Sequence, residues 1–132
     1  MHIRLFCCLA IFSLVSIANA QSDSEKQAII DAMDAQADTY TDMAHQIWDW
    51  AELGFQEDQS TELLQSQLRE AGFRIETGVA GMPTAFVATY GSGEPIIGFL
   101  AEYDALPGVS QQAVPRPAKR TETNNGHALG HH

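Results

Sequence analysis

The sequence predicts an α/β fold of two helices, a strand hairpin and a central strand, and three observations carry that expectation. Apolar residues recur at helical spacing between residues 24 and 53, and again more briefly from Ser60 to Ala71. Alternating and apolar runs bounded by glycines follow between Phe73 and Tyr90. Then comes Ile96-Ile97-Gly98-Phe99-Leu100-Ala101, which reads as a strand buried on both faces, as in the middle of an α/β sheet. Glu102, Asp104 and a Pro107-Gly108 stop come directly after it. In open α/β sheets the carboxyl ends of the strands are where ligands bind.

The chain starts with a different kind of segment. Met1-His2-Ile3-Arg4 carries one cation, Leu5 to Ile17 is apolar, and Ala18-Asn19-Ala20 has the small-x-small pattern of a cleavage site. Those are the parts of a secretory signal peptide, so residues 1–20 are expected to direct export and be removed after Ala20. The product is expected in the periplasm or outside the cell. Cys7 and Cys8 would leave with the leader, and residues 21–132 would carry no disulfide framework. The formal charge is −10, which makes nucleic acid and anionic membrane surfaces poor partners. One small domain, or part of a larger one, fits the length.

The first helix is expected over 24–53, opened by the capping box Ser24-Glu25-Lys26-Gln27 and closed by Gly54. Ile30, Met33, Ala37, Tyr40, Ala44, Ile47 and Ala51 form its apolar stripe, and Asp31, Asp34, Asp38, Asp42 and Asp49 a solvated face. Trp48 and Trp50 cannot share a face at that spacing, so one must pack outside the stripe. The second helix turns Leu64, Leu68 and Ala71 inward and ends at Gly72. Phe73 to Thr77 alternates like a half-buried strand. After the turn at Gly78 to Pro83, Thr84 to Tyr90 is a strand that Gly91-Ser92-Gly93 joins to the central run, a spacing that predicts a hairpin between those two. Residues 109–125 lack periodicity. Their cations Arg116, Lys119 and Arg120 either meet an anionic group or belong to a mobile, solvated loop, the reading composition favours.

Glu102 and Asp104 project to one side of an extended chain. Asp104 either binds a divalent metal, orients a histidine that does, or merely caps its loop. His127 and His131 are four residues apart, the spacing that puts two imidazoles on one face of a zinc-binding helix, and His132 adds a third. A tail with accidental histidines, or the start of a tag, is the alternative. Gly126 and Gly130 argue for a backbone shaped to hold ligands.

Four stretches in order carry a resemblance: Glu52-Leu53-Gly54-Phe55-Gln56-Glu57, Gly78-Val79-Ala80-Gly81, Ala101-Glu102-Tyr103-Asp104-Ala105-Leu106-Pro107-Gly108, and Asn125-Gly126-His127-Ala128-Leu129-Gly130-His131. The chain resembles the N-terminal part of the aminoacylase and carboxypeptidase-G family of metallopeptidases (peptidase family M-twenty), more narrowly its amidohydrolase branch, over about residues 25–132. The resemblance implies a zinc-peptidase-like catalytic domain that hydrolyses the amide of N-acyl or aroyl amino acids or dipeptides with zinc or manganese. It implies a metal ligand at His131, the catalytic acid position at Asp104, and a homo-oligomer in the complete protein. Glu102 stands where relatives with a His-x-Asp motif keep a ligand histidine. Position 129, where the branch places a ligand cysteine, is leucine, and His132 replaces an Asp or Asn. The general base and remaining ligands belong further along the family pattern, so the chain reads as an N-terminal fragment of a secreted enzyme. The competing expectation is a degenerate, non-catalytic secreted protein that binds metal or a partner.

Overall fold

The structure, a computed structural model, describes residues 23–132. The expected leader lies outside the described residues. The chain divides into two units, residues 1–40 and 41–132.

In the first unit residues 23–34 are helical and form α1. The single long helix expected over 24–53 is broken. The amide of Gln36 bonds the carbonyl of Met33, one residue tighter than the α ladder, and a second helix, α2, starts afresh at Ala37–Trp50. Neither glycine nor proline stands at the break. Ser24 already lies within the helical residues, so the expected capping box does not open the helix.

The second unit is organised around the end of α2. Ile47 and Ala51 are the buried members of the predicted stripe. The helix stops earlier than Gly54: Ala51 takes φ +45° and its amide bonds the carbonyl of Ile47. Alanine pays for the left-handed conformation that a terminal glycine would adopt freely.

The next helix, α3 (Asp58–Glu70), is close to expectation and ends in Ala71 and the positive-φ Gly72. Its buried residues are polar, Ser60, Thr61 and Gln65, whereas Leu64 and Leu68 are half-buried and Ala71 is exposed. This reverses the predicted burial order, because α3 meets hydrogen-bonding groups of the connecting loops as well as the sheet.

Strands β1 (Arg74–Thr77) and β2 (Phe86–Thr89) pair antiparallel, with Ile75 opposite Ala88 and Thr77 opposite Phe86. The turn between them contains a short 3-10 segment, Val79–Gly81, entered through Gly78 at φ +67°. The hairpin therefore joins different strands from those predicted. Residues 96–101 form no strand among the described residues, and Phe99 and Leu100 are each 95 % exposed. A strand buried on both faces needs paired neighbours and two covering layers; the described sheet is only two strands wide and supplies neither. The result is mixed α/β, three helices with a two-stranded antiparallel sheet, without the central strand.

Past this run the chain becomes ordered by two single bridges. Ala105 pairs in parallel with Leu53, and Leu106 in antiparallel with Gly126. Residues 53, 105–106 and 126 thus lie side by side, which brings the acidic stretch beside the histidine stretch.

Candidate functional site

Each carboxylate at the start of this ribbon reaches the same imidazole. Asp104 Oδ1 lies 3.2 Å from His131 Nδ1, and Glu102 Oε2 lies 3.4 Å from His131 Nε2. The three side chains offer one ligand atom each within 4.8 Å of one another. The convergence matches the expectation that Glu102 and Asp104, two residues apart, share a side. Asp104 and His131 are half-buried and Glu102 is exposed, so the group is open to solvent on one side.

This donor set fits a cation. With Nδ1–H donating to Asp104, His131 Nε2 carries a lone pair and faces the Glu102 carboxylate, which is also only an acceptor. Two acceptors 3.4 Å apart need a proton or a metal between them. Imidazole and carboxylate donors of this kind suit zinc or manganese.

The other histidines turn elsewhere. Residues 127–130 form a turn, closed by Gly130 N–H to His127 C=O at 3.2 Å, so the helical face expected for His127 and His131 does not form. His127 Nε2 donates to Ile47 C=O at 3.1 Å, which leaves Nδ1 as an acceptor, buried and without a hydrogen-bond partner among the described residues. Burial is the main reason its pKa falls below the ordinary value, with the neighbouring imidazoles of His132 and His131 acting the same way against the Ile47 bond. His132 packs its ring on His127, centroids 5.2 Å apart. Leu129, at the tip of the turn, is 66 % exposed.

Beneath the acidic stretch lies a polar cluster. Tyr103 OH donates to Thr84 C=O at 2.6 Å and sits 2.7 Å from Thr61 Oγ1, while Thr84 Oγ1 donates to the buried Glu57 carboxylate. Burial pushes the Tyr103 phenol up; the Thr61 hydrogen bond opposes this and the Glu57 charge adds to it. Tyr103 is thus pinned between the two site carboxylates in sequence, and its anchorage fixes the backbone that carries them.

Glu52 performs a comparable task. Its carboxylate accepts the amides of Gln59 and Ser60 at 3.0 and 2.9 Å and the Ser60 hydroxyl at 2.8 Å, capping α3 from outside the helix. Its own C=O accepts Ala105 N–H at 2.7 Å. Burial works against the Glu52 charge, yet the hydrogen bonds from Gln59 and Ser60 together hold its carboxyl below the ordinary value.

The sequence also misjudged Arg120. Its side chain is 6 % exposed and lies on the Trp48 ring, 4.3 Å from the centroid, so it is neither free for an anionic substrate nor solvated. The only local sign was Glu122, since its main partners lie 71 and 72 residues earlier. Arg116 and Lys119 are exposed.

No family model matches the chain. It is 48 % identical over 104 residues to one subunit of the p-aminobenzoyl-glutamate hydrolase of Escherichia coli K12, a match that covers 78 % of this chain and 22 % of that protein. It is 36 % identical over 92 residues to hippurate hydrolase of Campylobacter jejuni, covering 66 % of this chain and again 22 % of the relative. The chain therefore spans about a fifth of the length of the curated relatives it matches. Both relatives bear hydrolase names, and the two similarities support kinship with amidohydrolases.

Proposed function

We propose that the chain supplies the N-terminal, metal-holding part of an exported amidohydrolase of the aminoacylase and carboxypeptidase-G type, acting on the amide of an N-acyl or aroyl amino acid or dipeptide. Three supports converge: the similarity to two hydrolases, the family-like motifs at 101–108 and 125–131, and above all the meeting of Glu102, Asp104 and His131. That meeting is the single observation on which the reading rests.

In this reading His131 Nε2 and Glu102 hold zinc or manganese, and Asp104 keeps the His131 ring in the tautomer that leaves Nε2 free. A divalent ion in such a place polarises an amide carbonyl and acidifies bound water. The Tyr103 anchorage and the Glu52–Ala105 bond hold the carboxylates in place before any substrate arrives. His127 takes no ion in this assignment, because its Nε2 is committed to Ile47 and its Nδ1 is buried. The substrate is a small amide rather than a nucleic acid, and homo-oligomerisation and removal of residues 1–20 complete the proposal.

The exposed Leu129, which offers no donor atom where a cysteine ligand is expected, favours a second reading: a secreted protein that binds metal without catalysis. Calorimetric titration of the full 132-residue chain with zinc and with manganese tests what both readings share. One equivalent should bind, and His131→Ala should abolish it. A wild-type chain that binds neither ion overturns the metal centre. Assays of the complete, metal-loaded protein with hippurate and p-aminobenzoyl-glutamate then separate enzyme from binder.

A further inference from the structure

We propose that Arg120 is a positioning residue for the histidine loop, and that it works by closing the C-terminal end of α2. The last carbonyls of a helix have no partners inside it. Here Arg120 supplies them for Trp48 and Asp49, while Ile47 C=O, which already accepts the Ala51 amide, takes His127 as a second donor. Arg120 Nη1 donates to Trp48 C=O at 3.0 Å and Nη2 to Asp49 C=O at 3.1 Å. Asn125 Nδ2 donates to Ala51 C=O at 3.2 Å, and His127 Nε2 to Ile47 C=O. Capping of α2 and docking of the loop are therefore one event.

Arg120 holds the centre of that event. Its two terminal nitrogens take neighbouring carbonyls and Nη2 also reaches Asp49 Oδ1, while Nε donates to Glu122 Oε1 at 2.9 Å. Its backbone amide donates to the hydroxyl of buried Ser110 at 3.1 Å, tying the outgoing half of the loop to the returning half. A planar fork is needed to serve two carbonyls and two carboxylates together, and a lysine ammonium cannot reproduce it. The cation also lies at the negative end of the helix dipole. Glu122 is drawn into the arrangement so firmly that its carboxyl is held down to about 2, first by the Arg120 bond.

From this clamp the chain has only five residues before Gly126, which pairs with Leu106 two residues past Asp104. The contact is tight: a Cβ on Gly126 would stand 2.6 Å from Val109 C=O. A loop released at Arg120 has no second cationic anchor, because Arg116 and Lys119 are exposed. Loss of the clamp should therefore be felt at His131, which Arg120 does not touch.

The experiment compares the full wild-type chain with Arg120→Met, Arg120→Lys and Glu122→Gln. One readout rests on the metal-centre reading: cobalt titration followed by its visible absorption. Arg120→Met should weaken cobalt binding about tenfold, the lower end of what loss of an outer supporting group costs, and Arg120→Lys should restore little. The other readout needs no metal: ring nitrogen resonances, which should report a fixed Nδ1–H tautomer for His131 in the wild type. In Arg120→Met that signature should average, with a smaller shift in the same direction in Glu122→Gln, while far-ultraviolet helix content is kept. If wild type binds no cobalt, the metal reading fails and the ring resonances still judge the clamp. An unchanged His131 signature in Arg120→Met overturns the proposal, and so does general collapse of the fold, which would make Arg120 an ordinary stability residue.

Discussion

Asp104 and His131 face each other across a 3.2 Å contact although 27 residues separate them in sequence. The intervening chain leaves the acidic stretch, runs out through the loop, docks on the end of α2 and returns beside Leu106. A carboxylate on Nδ1 fixes which ring nitrogen is left for other business. Asp104→Asn keeps the shape but can present its amide N–H in place of an acceptor. Zinc affinity in a calorimetric titration should fall by about tenfold to a hundredfold, as for other groups that orient a metal-bound histidine. Equal affinity in both proteins would mean that Asp104 merely caps its loop.

Glu52 links α3 to the acidic stretch, and its depressed pKa gives a pH signature. A carboxyl held below its ordinary value of 4.5 adds stability that is complete above that value and is lost as pH falls through the lower folded-state value. Glu52→Gln removes the charge at every pH. It should lower stability by about 1 kcal/mol near neutrality, the usual worth of a helix cap, and the gap to wild type should shrink below pH 4.5. Urea unfolding at pH 7 and pH 3.5 measures both. A gap that widens in acid would contradict the assignment.

Gly126 tests the ribbon itself. Its backbone lies so close to Val109 C=O that a methyl group would overlap it. Gly126→Ala must push the two segments apart and disturb the paired bonds to Leu106, each 3.0 Å long. A loss of about 1–3 kcal/mol is expected, as for overpacking at a tight site, and should appear as a lowered urea midpoint. No shift would show that the loop moves aside without cost.

The local elements were largely legible. Gly72 at the end of α3 and the Gly78–Pro83 turn announce themselves through residue types that only certain backbone geometries tolerate. The alternation of 102 and 104 likewise placed two carboxylates on one side. What the sequence concealed was pairing and distant capping. Residues 96–101 have the composition of a central strand, but composition cannot say whether neighbours are there to pair with. The end of α2 is closed by side chains more than 70 residues away, at Arg120, Asn125 and His127, and no local pattern around Trp50 forecasts them. Arg120 looked like one cation among three because two of its distant partners are backbone carbonyls, which every sequence has.

The exposed run at 96–100 makes a prediction about behaviour in solution. Ile96, Phe99 and Leu100 are 87 %, 95 % and 95 % exposed, and an exposed apolar run of this kind invites self-association. Phe99→Lys with Leu100→Glu should reduce self-association without lowering the unfolding midpoint, since neither side chain is buried. Light scattering across a concentration series compares the two proteins. Equal scattering would mean that this run is not the sticky surface.

Leu129 stands where the resemblance expects a thiolate ligand, two residues before His131 and at the exposed tip of the 127–130 turn. Because the side chain is 66 % exposed, Leu129→Cys removes little buried apolar surface and should leave stability nearly unchanged. A cysteine thiolate binds zinc strongly. His132 and the partnerless Nδ1 of His127 are the nearest additional nitrogen donors in sequence. If position 129 faces the metal centre, tightly held zinc should rise from about one towards about two equivalents per chain, as ligand count dictates. Elemental analysis after dialysis against a mild chelator reads the stoichiometry, and thiol titration shows whether the new cysteine is engaged. Unchanged zinc with a freely reactive thiol would place residue 129 on the outside of the turn, away from the ion, and would leave the site with the donors of Glu102 and His131 alone.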